Sequence, residues 1–369
     1  MDFTLTQEQQ MLDEAVRRFV EKEYVQSGQD DSDQEPGYPL SRWQALADMG
    51  LLGLLVPPDH GGLGKDMTDV FVVMRALGQG LIREPYIGTA LVAASMVARG
   101  GTDDQKSAWL PGIAEGSLTF ALATEDCDRT PDPSGLEMRD GRLYGHKSAV
   151  LCGDSADWLI VPVSSRSPDD TGTRVFCIDA RTPGVSHVRY TNIDGQRSAE
   201  ITFDGVPVDA ANELCSGGHP ASLLEWGLDI GRMALCAEAV GALETLLQQT
   251  LEHLATRQQF GQSLGRFQVL QHRAVDMMVS VELAHSVALM AAAGIESGDD
   301  DTRRRYVSTC KAQMGRYIRH VCEQAIQTFG GMGMTREFEP TRYVRRLLAI
   351  SMTWGNTEFH IDRYSEHMQ

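Results

Sequence analysis

Apolar residues recur at helical spacing through the first third of the chain. A Thr6–Gln9 capping box marks the start of the first helix. The apolar positions of that helix are Leu12, Val16, Phe19, Val20 and Tyr24. Further helical patterns run over 70–81 and 89–98, after a break at 53–58 and a glycine-rich loop at 61–64. The pattern predicts a helical segment over residues 1–115.

The period of the pattern shifts towards two in the middle of the chain. The predicted strands are 118–122, 158–163, 174–178 and 200–203. Asp140-Gly141, flanked by Met138 and Leu143, is typical of a hairpin turn. Short strands with turn signals and no long helix between them predict a small β-barrel or sandwich over residues 116–215.

Helical spacing returns in the last segment, residues 216–369. One stripe consists of Met233, Val240, Leu243, Leu247, Leu251 and Leu254. A second helix is predicted from Phe267 to about Ala293, and a third ends at Phe329, where Gly330 to Gly333 follow. Three long apolar-striped helices predict a helical bundle.

Charge and composition narrow the possible functions. The 369 residues include 33 Lys and Arg and 51 Asp and Glu, for a net charge of −18. So acidic a chain would repel nucleic acid and anionic membranes, although a local Arg cluster could still hold an anionic cofactor. Seven cysteines without paired spacing indicate reduced thiols, and no Cys/His cluster has zinc spacing.

Targeting signals are not evident either. The apolar runs 51–58 and 90–97 are too short to span a membrane, and no basic, apolar leader opens the sequence. We therefore expect a cytoplasmic protein with no membrane span.

Two motifs could hold a ligand. The first is Arg257 to Gly261, followed by 265–268; a guanidinium can bind a pyrophosphate through two hydrogen bonds, and Gly261 lets backbone approach closely. Its structural alternative is a helix end with a capping glycine. The second is 327–334, whose glycines follow a helix and not a strand, so it is not a dinucleotide fingerprint.

These motifs together resemble the acyl-CoA dehydrogenase family over essentially the whole chain. The segments that carry the resemblance are 3–9, 50–53, 56–57, 61–64, 257–261 and 327–333, in order. Within the family, 153–157 and 235–241 are most similar to the small subunit of pimeloyl-CoA dehydrogenase and to partner subunits of heteromeric enzymes that oxidise steroid side-chain CoA esters.

The resemblance implies an α+β fold with a helical N-terminal domain, a β-barrel middle domain and a C-terminal four-helix bundle. It also implies FAD, oxidation of a CoA thioester between its α and β carbons, and an electron-transfer flavoprotein as acceptor. A carboxylate removes the α proton in that chemistry, and the flavin accepts the hydride. The flavin lies between subunits, and the implied contacts to its ADP half are Arg257, Phe260, Gln268, Gln327, Gly330 and Gly331.

The sequence departs from the family at the positions that border the flavin ring and at the positions of the catalytic base. Trp354 and Gly231 occupy the two positions where family members carry the base, and neither can abstract a proton. Ala149 and Leu151 stand where the family's Trp-x-Thr borders the flavin ring. Thr124-Glu125 is kept, but 126–130 has lost its Pro and Gly pattern. The resemblance therefore implies a base-lacking subunit of a heterotetramer in lipid or steroid degradation.

Two other interpretations stay open. The chain could be a self-sufficient flavoenzyme with a displaced base. The best candidate is Glu358, one helical turn after Trp354, because residues i and i+4 share a face of a helix. Asp229 and Glu225 are weaker ones. The chain could also be a non-redox scaffolding subunit that keeps only the fold. The acyl group stays open as well, between a dicarboxylic chain and a steroid side chain.

Overall fold

The computed structural model describes residues 5–25, 35–124, 136–164, 172–215 and 218–366. Their α-helices are α1 (Gln7–Val20), α2 (Leu40–Asp48), α3 (Met67–Gly78), α4 (Ala94–Gly100), α5 (Asp103–Ala114), α6 (Pro220–Thr256), α7 (Gln268–Glu296), α8 (Asp300–Phe329), α9 (Glu339–Met352) and α10 (Thr357–Ser365). Their strands are β1 (Phe120–Leu122), β2 (Leu136–Arg139), β3 (Arg142–Leu151), β4 (Trp158–Ser164), β5 (Thr173–Asp179), β6 (Val185–Thr191), β7 (Arg197–Pro207), β8 (Glu213–Leu214), β9 (Gln258–Gln259) and β10 (Gln262–Ser263).

The chain divides into two compact units. The first holds α1, α3, α7 to α10 and the part of α6 from Arg232 onward. The second holds α2, α4, α5, β1 to β8 and the start of α6. The predicted boundaries after residues 115 and 215 mark changes in the type of secondary structure, and they do not coincide with the edges of these units.

Two four-stranded sheets form the β part of the second unit. Their strand orders are β1-β4-β5-β8 and β2-β3-β7-β6. Both contribute to one apolar core, which includes Leu143, Phe176 and Phe203. The predicted hairpin at Asp140-Gly141 is confirmed, since both residues have positive φ between β2 and β3. Strand β6 escaped prediction because its residues are mostly exposed and lack an inward apolar row.

Helix packing in the first unit depends on two glycines and a buried ion pair. A Cβ on Gly78 of α3 would lie 2.1 Å from the Glu238 carbonyl oxygen, and one on Gly241 of α6 would lie 1.9 Å from that of Arg75. Only glycine allows the two backbones to approach so closely. The buried Glu238 carboxylate accepts hydrogen bonds of 2.6 and 2.7 Å from Arg346 of α9.

Most predicted helices are observed. The Thr6–Gln9 capping box starts α1, and α6, α7 and α8 cover the three C-terminal patterns. The helix predicted over 89–98 is only partly α-helical. Ile87–Ala93 is π-helical, and the α-helix α4 follows it. The order of the elements therefore agrees with the predicted fold class: a helical N-terminal segment, a sheet-forming middle segment and a helical C-terminal segment.

Among the described residues, α7 is the one helix long and apolar enough to cross a membrane by length and composition. The short apolar runs considered from the sequence had not indicated it. Its most apolar window is 44% buried, and the helix packs against α3 and α8. A core helix of a soluble protein meets the same criteria.

Candidate functional site

The motif at Arg257 forms a hairpin directly after α6. Strands β9 and β10 pair around Phe260 and Gly261, whose φ angles are 52° and 79°. Two successive left-handed residues make a type I′ turn, which rarely accepts a bulky first residue. Phe260 is nonetheless held there with 90% of its surface exposed, and its ring meets Phe267 edge-on at 6.1 Å. The alternative of a helix end capped by Gly261 is thus wrong.

The second motif forms an open glycine surface at the end of α8. Gly330 ends the helix with a φ of 63°, and Gln327 is exposed on the last turn. A Cβ added to Gly261, Gly330 or Gly331 would meet nothing within 4 Å. Packing within the chain therefore does not require glycine at these three positions. A ligand can approach their backbone closely.

His253 joins the two motifs, although sequence reasoning did not select it. Its ring packs edge-on against Phe329 at 5.1 Å, and its carbonyl oxygen accepts from the Arg257 N–H at 2.9 Å. Burial and the nearby charge of Arg257 lower the pKa of His253, which keeps the ring neutral at pH 7. The signal that could have found it is its place one helical turn before Arg257.

Gln268 completes this corner of the first unit. It is exposed as the first residue of α7, next to Phe267. The Leu264 N–H donates to the Arg257 carbonyl at 2.9 Å and fixes the hairpin's return. We call Arg257, Phe260, Gln268, Gln327, Gly330 and Gly331 the Arg257 corner.

Trp354 lies in a tight turn between α9 and α10, which we call the Trp354 turn (Thr353 to Gly355). Trp354 has a φ of 53° and is only 8% exposed, and Gly355 has a φ of 110°. A left-handed backbone at a bulky residue is strained and needs support from its surroundings. That support comes from buried basic side chains.

Three of these side chains bind the carbonyl oxygens of the turn. Arg232 Nε donates to the Trp354 carbonyl at 3.1 Å, and His360 Nε2 contacts the same oxygen at 3.2 Å. Lys311 Nζ donates to the carbonyls of Ile350 and Thr353 at 2.9 and 2.8 Å. The lysine therefore caps the C-terminal end of α9, where positive charge is favourable.

The same environment shifts the titration of these groups. Burial, opposed in part by Cys236, lowers the pKa of Lys311 to about 8. Burial, together with the charges of Arg232, Lys311 and Arg363, lowers the pKa of His360 to about 2. Sequence reasoning missed Lys311, although it falls on the apolar stripe of α8 with Val307, Met314 and Ile318; a lysine on a buried stripe is itself a signal.

The Trp354 turn and the Arg257 corner lie at opposite ends of the same helix. Arg232, which binds the turn, and Thr256, which precedes the corner, are separated by about 36 Å of α6, at 1.5 Å per residue. The first unit therefore cannot bring its own Trp354 turn and its own Arg257 corner to one small reacting centre.

A bulge marks the predicted ring-facing stretch in the second unit. The pairing of β3 with β7 shifts register between Lys147 and Val150, and Ala149 lies in the bulge, exposed, with a φ of 51°. Bulges often re-aim a side chain beside an active site. Here the re-aimed residue is an alanine, and Leu151 follows it half-buried. Glu125 and 126–130 lie outside the described residues.

The alternative base candidates do not share a face with Trp354. Helix α10 begins only at Thr357, with Asn356 as its N-cap, so the expectation that Trp354 and Glu358 lie on one helical face is wrong. Glu358 is an exposed acid in the first turn of α10, at the rim of a cavity of about 500 Å³ between α8 and α9. Gly231, Asp229 and Glu225 all lie within α6, where Gly231 and Asp229 are buried.

No metal centre accompanies these groups in the described part of the chain. Over residues 5–25, 35–124, 136–164, 172–215 and 218–366, no three His, Cys, Asp or Glu side chains converge as ligands.

Comparison with known proteins agrees with this geometry. Residues 6–117 match the N-terminal domain of acyl-CoA dehydrogenases, and residues 221–369 match the C-terminal domain, which includes both the Arg257 corner and the Trp354 turn. The chain belongs to the acyl-CoA dehydrogenase family. Members of this family bind FAD and oxidise acyl-CoA thioesters.

Individual relatives span nearly the whole chain. The probable acyl-CoA dehydrogenase YngJ of Bacillus subtilis is 27% identical, with 97% of each sequence covered. The Tcur3481–Tcur3483 steroid ACAD superposes with a TM-score of 0.88 at 28% identity, over 99% of this chain and 98% of the other. The ChsE4–ChsE5 complex of Mycobacterium tuberculosis gives a TM-score of 0.89 at 23% identity, over 100% and 99%, and shows the fold alone.

Proposed function

We propose that this chain is the base-lacking subunit of a heteromeric, FAD-dependent acyl-CoA dehydrogenase. It supplies the Arg257 corner to the ADP half of a flavin whose ring and base belong to the partner subunit. The observation that carries the proposal is the contrast within one chain between an open Arg257 corner and a base position filled by a buried tryptophan.

The Arg257 corner fits the ADP half of FAD chemically. An exposed guanidinium suits a pyrophosphate, and Gln268 and Gln327 offer neutral hydrogen-bonding groups beside it. The open backbone at Gly330 and Gly331 leaves room that a side chain would fill. Phe260 presents an aromatic face outward from a rigid hairpin. FAD, once bound, supplies the hydride acceptor for oxidation between the α and β carbons.

The Trp354 turn does not supply a base. An indole has no proton-accepting group of useful pKa, and the three basic side chains around the turn are bound to its backbone. General base catalysis needs a group within hydrogen-bond reach of the α proton. The partner subunit must therefore provide that carboxylate.

The separation of the two regions supports a two-subunit site. Since the Arg257 corner lies about 36 Å along α6 from the Trp354 turn, it can serve only a flavin whose ring is held by another chain. With Trp354 at its base position and Ala149 and Leu151 at the positions that the resemblance assigns to the flavin ring, the chain's own second site would hold no flavin, which gives one FAD for each pair of subunits.

The narrower assignments rest on similarity. The likeness to the Tcur3481–Tcur3483 steroid ACAD supports a steroid side-chain CoA ester as substrate. A dicarboxylic acyl-CoA is the second candidate, on the sequence similarity at 153–157 and 235–241. An electron-transfer flavoprotein as acceptor and a cytoplasmic location remain part of the proposal.

The test is to purify the chain alone and together with a base-carrying acyl-CoA dehydrogenase encoded beside it. We expect a colourless protein alone, and a stable yellow complex with one FAD per heterodimer, measured by flavin absorbance against protein. Two FAD per heterodimer would contradict the half-empty assembly. A yellow, active protein alone would support the self-sufficient flavoenzyme, and colourless preparations in both cases would support a scaffolding subunit.

A further inference from the structure

His253 lies near the end of α6, between the two motifs of the Arg257 corner. Its ring packs edge-on against Phe329, the last residue of α8, with 5.1 Å between the ring centroids, and Gly330 follows Phe329 directly. The Arg257 N–H donates to the His253 carbonyl at 2.9 Å, so the helical geometry of α6 continues to Arg257. Side chains four residues apart lie on the same face of a helix. The imidazole is therefore close both to the Arg257 side chain and to the glycines that end α8.

The ring nitrogens of His253 are not used within the described ranges of the chain. Neither nitrogen is hydrogen-bonded to another residue there, and the side chain is only half-buried. His360 shows the contrast, because it is fully buried and its Nε2 contacts the Trp354 carbonyl oxygen at 3.2 Å. His253 thus keeps its hydrogen-bonding groups available to a ligand at the corner.

We infer that His253 is a further binding residue for the pyrophosphate of FAD, to which its imidazolium form donates a hydrogen bond. The inference rests on the proposed function, because it takes the Arg257 corner as the site of the ADP half. Arg257 and His253 then bind the same phosphates from neighbouring positions on α6. Hydrogen bonds from a charged donor to a phosphate are stronger than neutral ones.

The charges around His253 explain why the flavin would bring the proton with it. Without FAD, burial and the charge of Arg257 lower the pKa of His253. Other charged groups on the surrounding helices, which are Glu252 of α6, Glu339 of α9 and Arg273 of α7, are hydrogen-bonded to glutamines. A bound pyrophosphate is negatively charged and offsets the charge of Arg257, so it raises the pKa of His253. Binding of FAD is then coupled to the uptake of a proton.

This coupling has a defined sign. Since linkage is reciprocal, a proton that FAD binding favours must in turn favour FAD binding. Well above the pKa of His253 in the complex, the imidazole is neutral with or without FAD, and its charge contributes nothing. As pH falls through that pKa, the complex gains the proton first and FAD binds more tightly. A pKa higher by one unit in the complex would tighten binding by up to about ten-fold.

The experiment titrates FAD into the flavin-free heteromeric complex at pH 6 and at pH 8. The Kd is measured from the change in flavin fluorescence. Isothermal titration calorimetry in two buffers that differ in ionisation enthalpy measures the proton uptake in parallel. We expect the wild type to bind FAD about three-fold or more tightly at pH 6 than at pH 8, with proton uptake at pH 6.

Two substitutions distinguish binding from packing. His253→Phe keeps an aromatic ring against Phe329 but cannot take up a proton, so its Kd should be the same at both pH values, without proton uptake. His253→Gln keeps a neutral hydrogen-bonding group and should lose the pH dependence as well. The matched control is His320→Gln, which removes another half-buried histidine, on α8, and should keep the wild-type pH dependence.

The inference is wrong if His253→Phe keeps the wild-type pH dependence, or if the wild type shows none. Should His253→Phe fail to fold, His253→Gln decides by the same criterion. Arg257→Ala separates this result from the proposed function. Wild-type affinity of Arg257→Ala for FAD would show that the corner does not bind the ADP half, and both proposals would fail. If Arg257→Ala weakens FAD binding while both His253 variants match the wild type at each pH, only the role of His253 is lost.

Discussion

The Arg257 corner and the Trp354 turn share an unusual backbone and differ in everything around it. Phe260 and Trp354 have nearly the same left-handed φ, 52° and 53°. Phe260 is 90% exposed on a short hairpin beside open glycines, whereas Trp354 is 8% exposed beneath three buried basic side chains. The two regions therefore share a backbone conformation, while their side chains differ in exposure and in chemistry.

Strain of this kind collects at functional sites in proteins. At the Arg257 corner the strained residue directs an aromatic ring outward, where a ligand or partner can meet it. At the Trp354 turn the strained residue is a buried tryptophan, whose indole cannot accept a proton. A strained backbone therefore does not by itself identify a catalytic residue, because the side chain upon it decides which chemistry is available.

The largest expected effect comes from removing the charge of the Arg257 corner. Arg257→Ala should weaken FAD retention by about ten-fold or more in the heteromeric complex, because hydrogen bonds to charged groups contribute roughly 1.5–3 kcal/mol each. Flavin occupancy is measured by absorbance after gel filtration at fixed protein concentration. The control is Arg18→Ala on α1, which removes an exposed arginine paired with Glu14.

Full flavin occupancy of Arg257→Ala at low micromolar FAD would contradict the assignment of the corner. Gln327→Ala should change retention in the same direction but less, since it removes a neutral partner. Equal effects of the two substitutions would show that the positive charge is not the dominant contact.

The Trp354 turn should determine part of the acid stability. The pKa of His360 is about 2 in the folded chain and about 6.5 when unfolded, so the unfolded chain binds more protons between these values. The stabilisation is complete above pH 6.5 and is lost as pH falls towards 2, by up to about 1.4 kcal/mol per pH unit. His360→Gln should make the free energy of unfolding less dependent on pH below 6.5.

Urea unfolding at pH 5.5 and 7 measures this difference. His146→Gln, an exposed histidine on β3, is the control and should leave the pH dependence as in wild type. If His360→Gln and wild type lose the same stability between the two pH values, the buried cations around the turn do not act on His360 as described.

Substitution of Phe260 should have a smaller effect on FAD retention, and it should distinguish the role of the aromatic ring from that of the strained backbone. Glycine relieves the left-handed backbone but adds freedom to the unfolded chain, so Phe260→Gly should keep the free energy of unfolding within about 1 kcal/mol. FAD retention should still fall by about three- to ten-fold, as expected for loss of one aromatic contact. Phe260→Leu keeps the backbone strain without the ring. Unchanged FAD retention in both variants would remove Phe260 from the corner.

Sequence patterns predicted most of this fold because its core follows regular periods. The stripe of α8 recurs at helical spacing, and strands β4 and β5 are continuous apolar runs that are buried along most of their length. Strand β6 did not, since an edge strand with both faces largely exposed needs no apolar row. The π-helical turns at Ile87–Ala93 likewise leave no distinct mark in an apolar run.

The residues of the candidate site were also predictable only in part. Arg257, Phe260 and the glycines after α8 are adjacent in sequence and could be found as motifs. His253 acts through a contact with Phe329, and Lys311 through carbonyls at 350 and 353, and such contacts are set by helix packing. The expectation about Glu358 failed because a left-handed residue followed by a glycine breaks the helical continuity that it assumed.

The smallest effect, none at all, is expected when the missing base is restored at the Trp354 turn. A general base contributes only when the substrate α carbon and the hydride acceptor are already placed beside it. Ala149 and Leu151 stand at the positions that the family resemblance assigns to the border of the flavin ring, and the chain's own Arg257 corner lies about 36 Å along α6 from the turn. A glutamate at position 354 would therefore face no ordered flavin ring.

Trp354→Glu should consequently give no turnover in the isolated chain. The measurement reconstitutes the variant with excess FAD and assays it with a panel of acyl-CoA esters and an artificial electron acceptor. Trp354→Gln is the matched control, because glutamine has about the size of glutamate and cannot act as a base. Turnover in Trp354→Glu that is absent from both wild type and Trp354→Gln would show that only the base was missing. The two regions would then belong to a nearly complete enzyme, and the self-sufficient flavoenzyme would replace the partner subunit as the better interpretation.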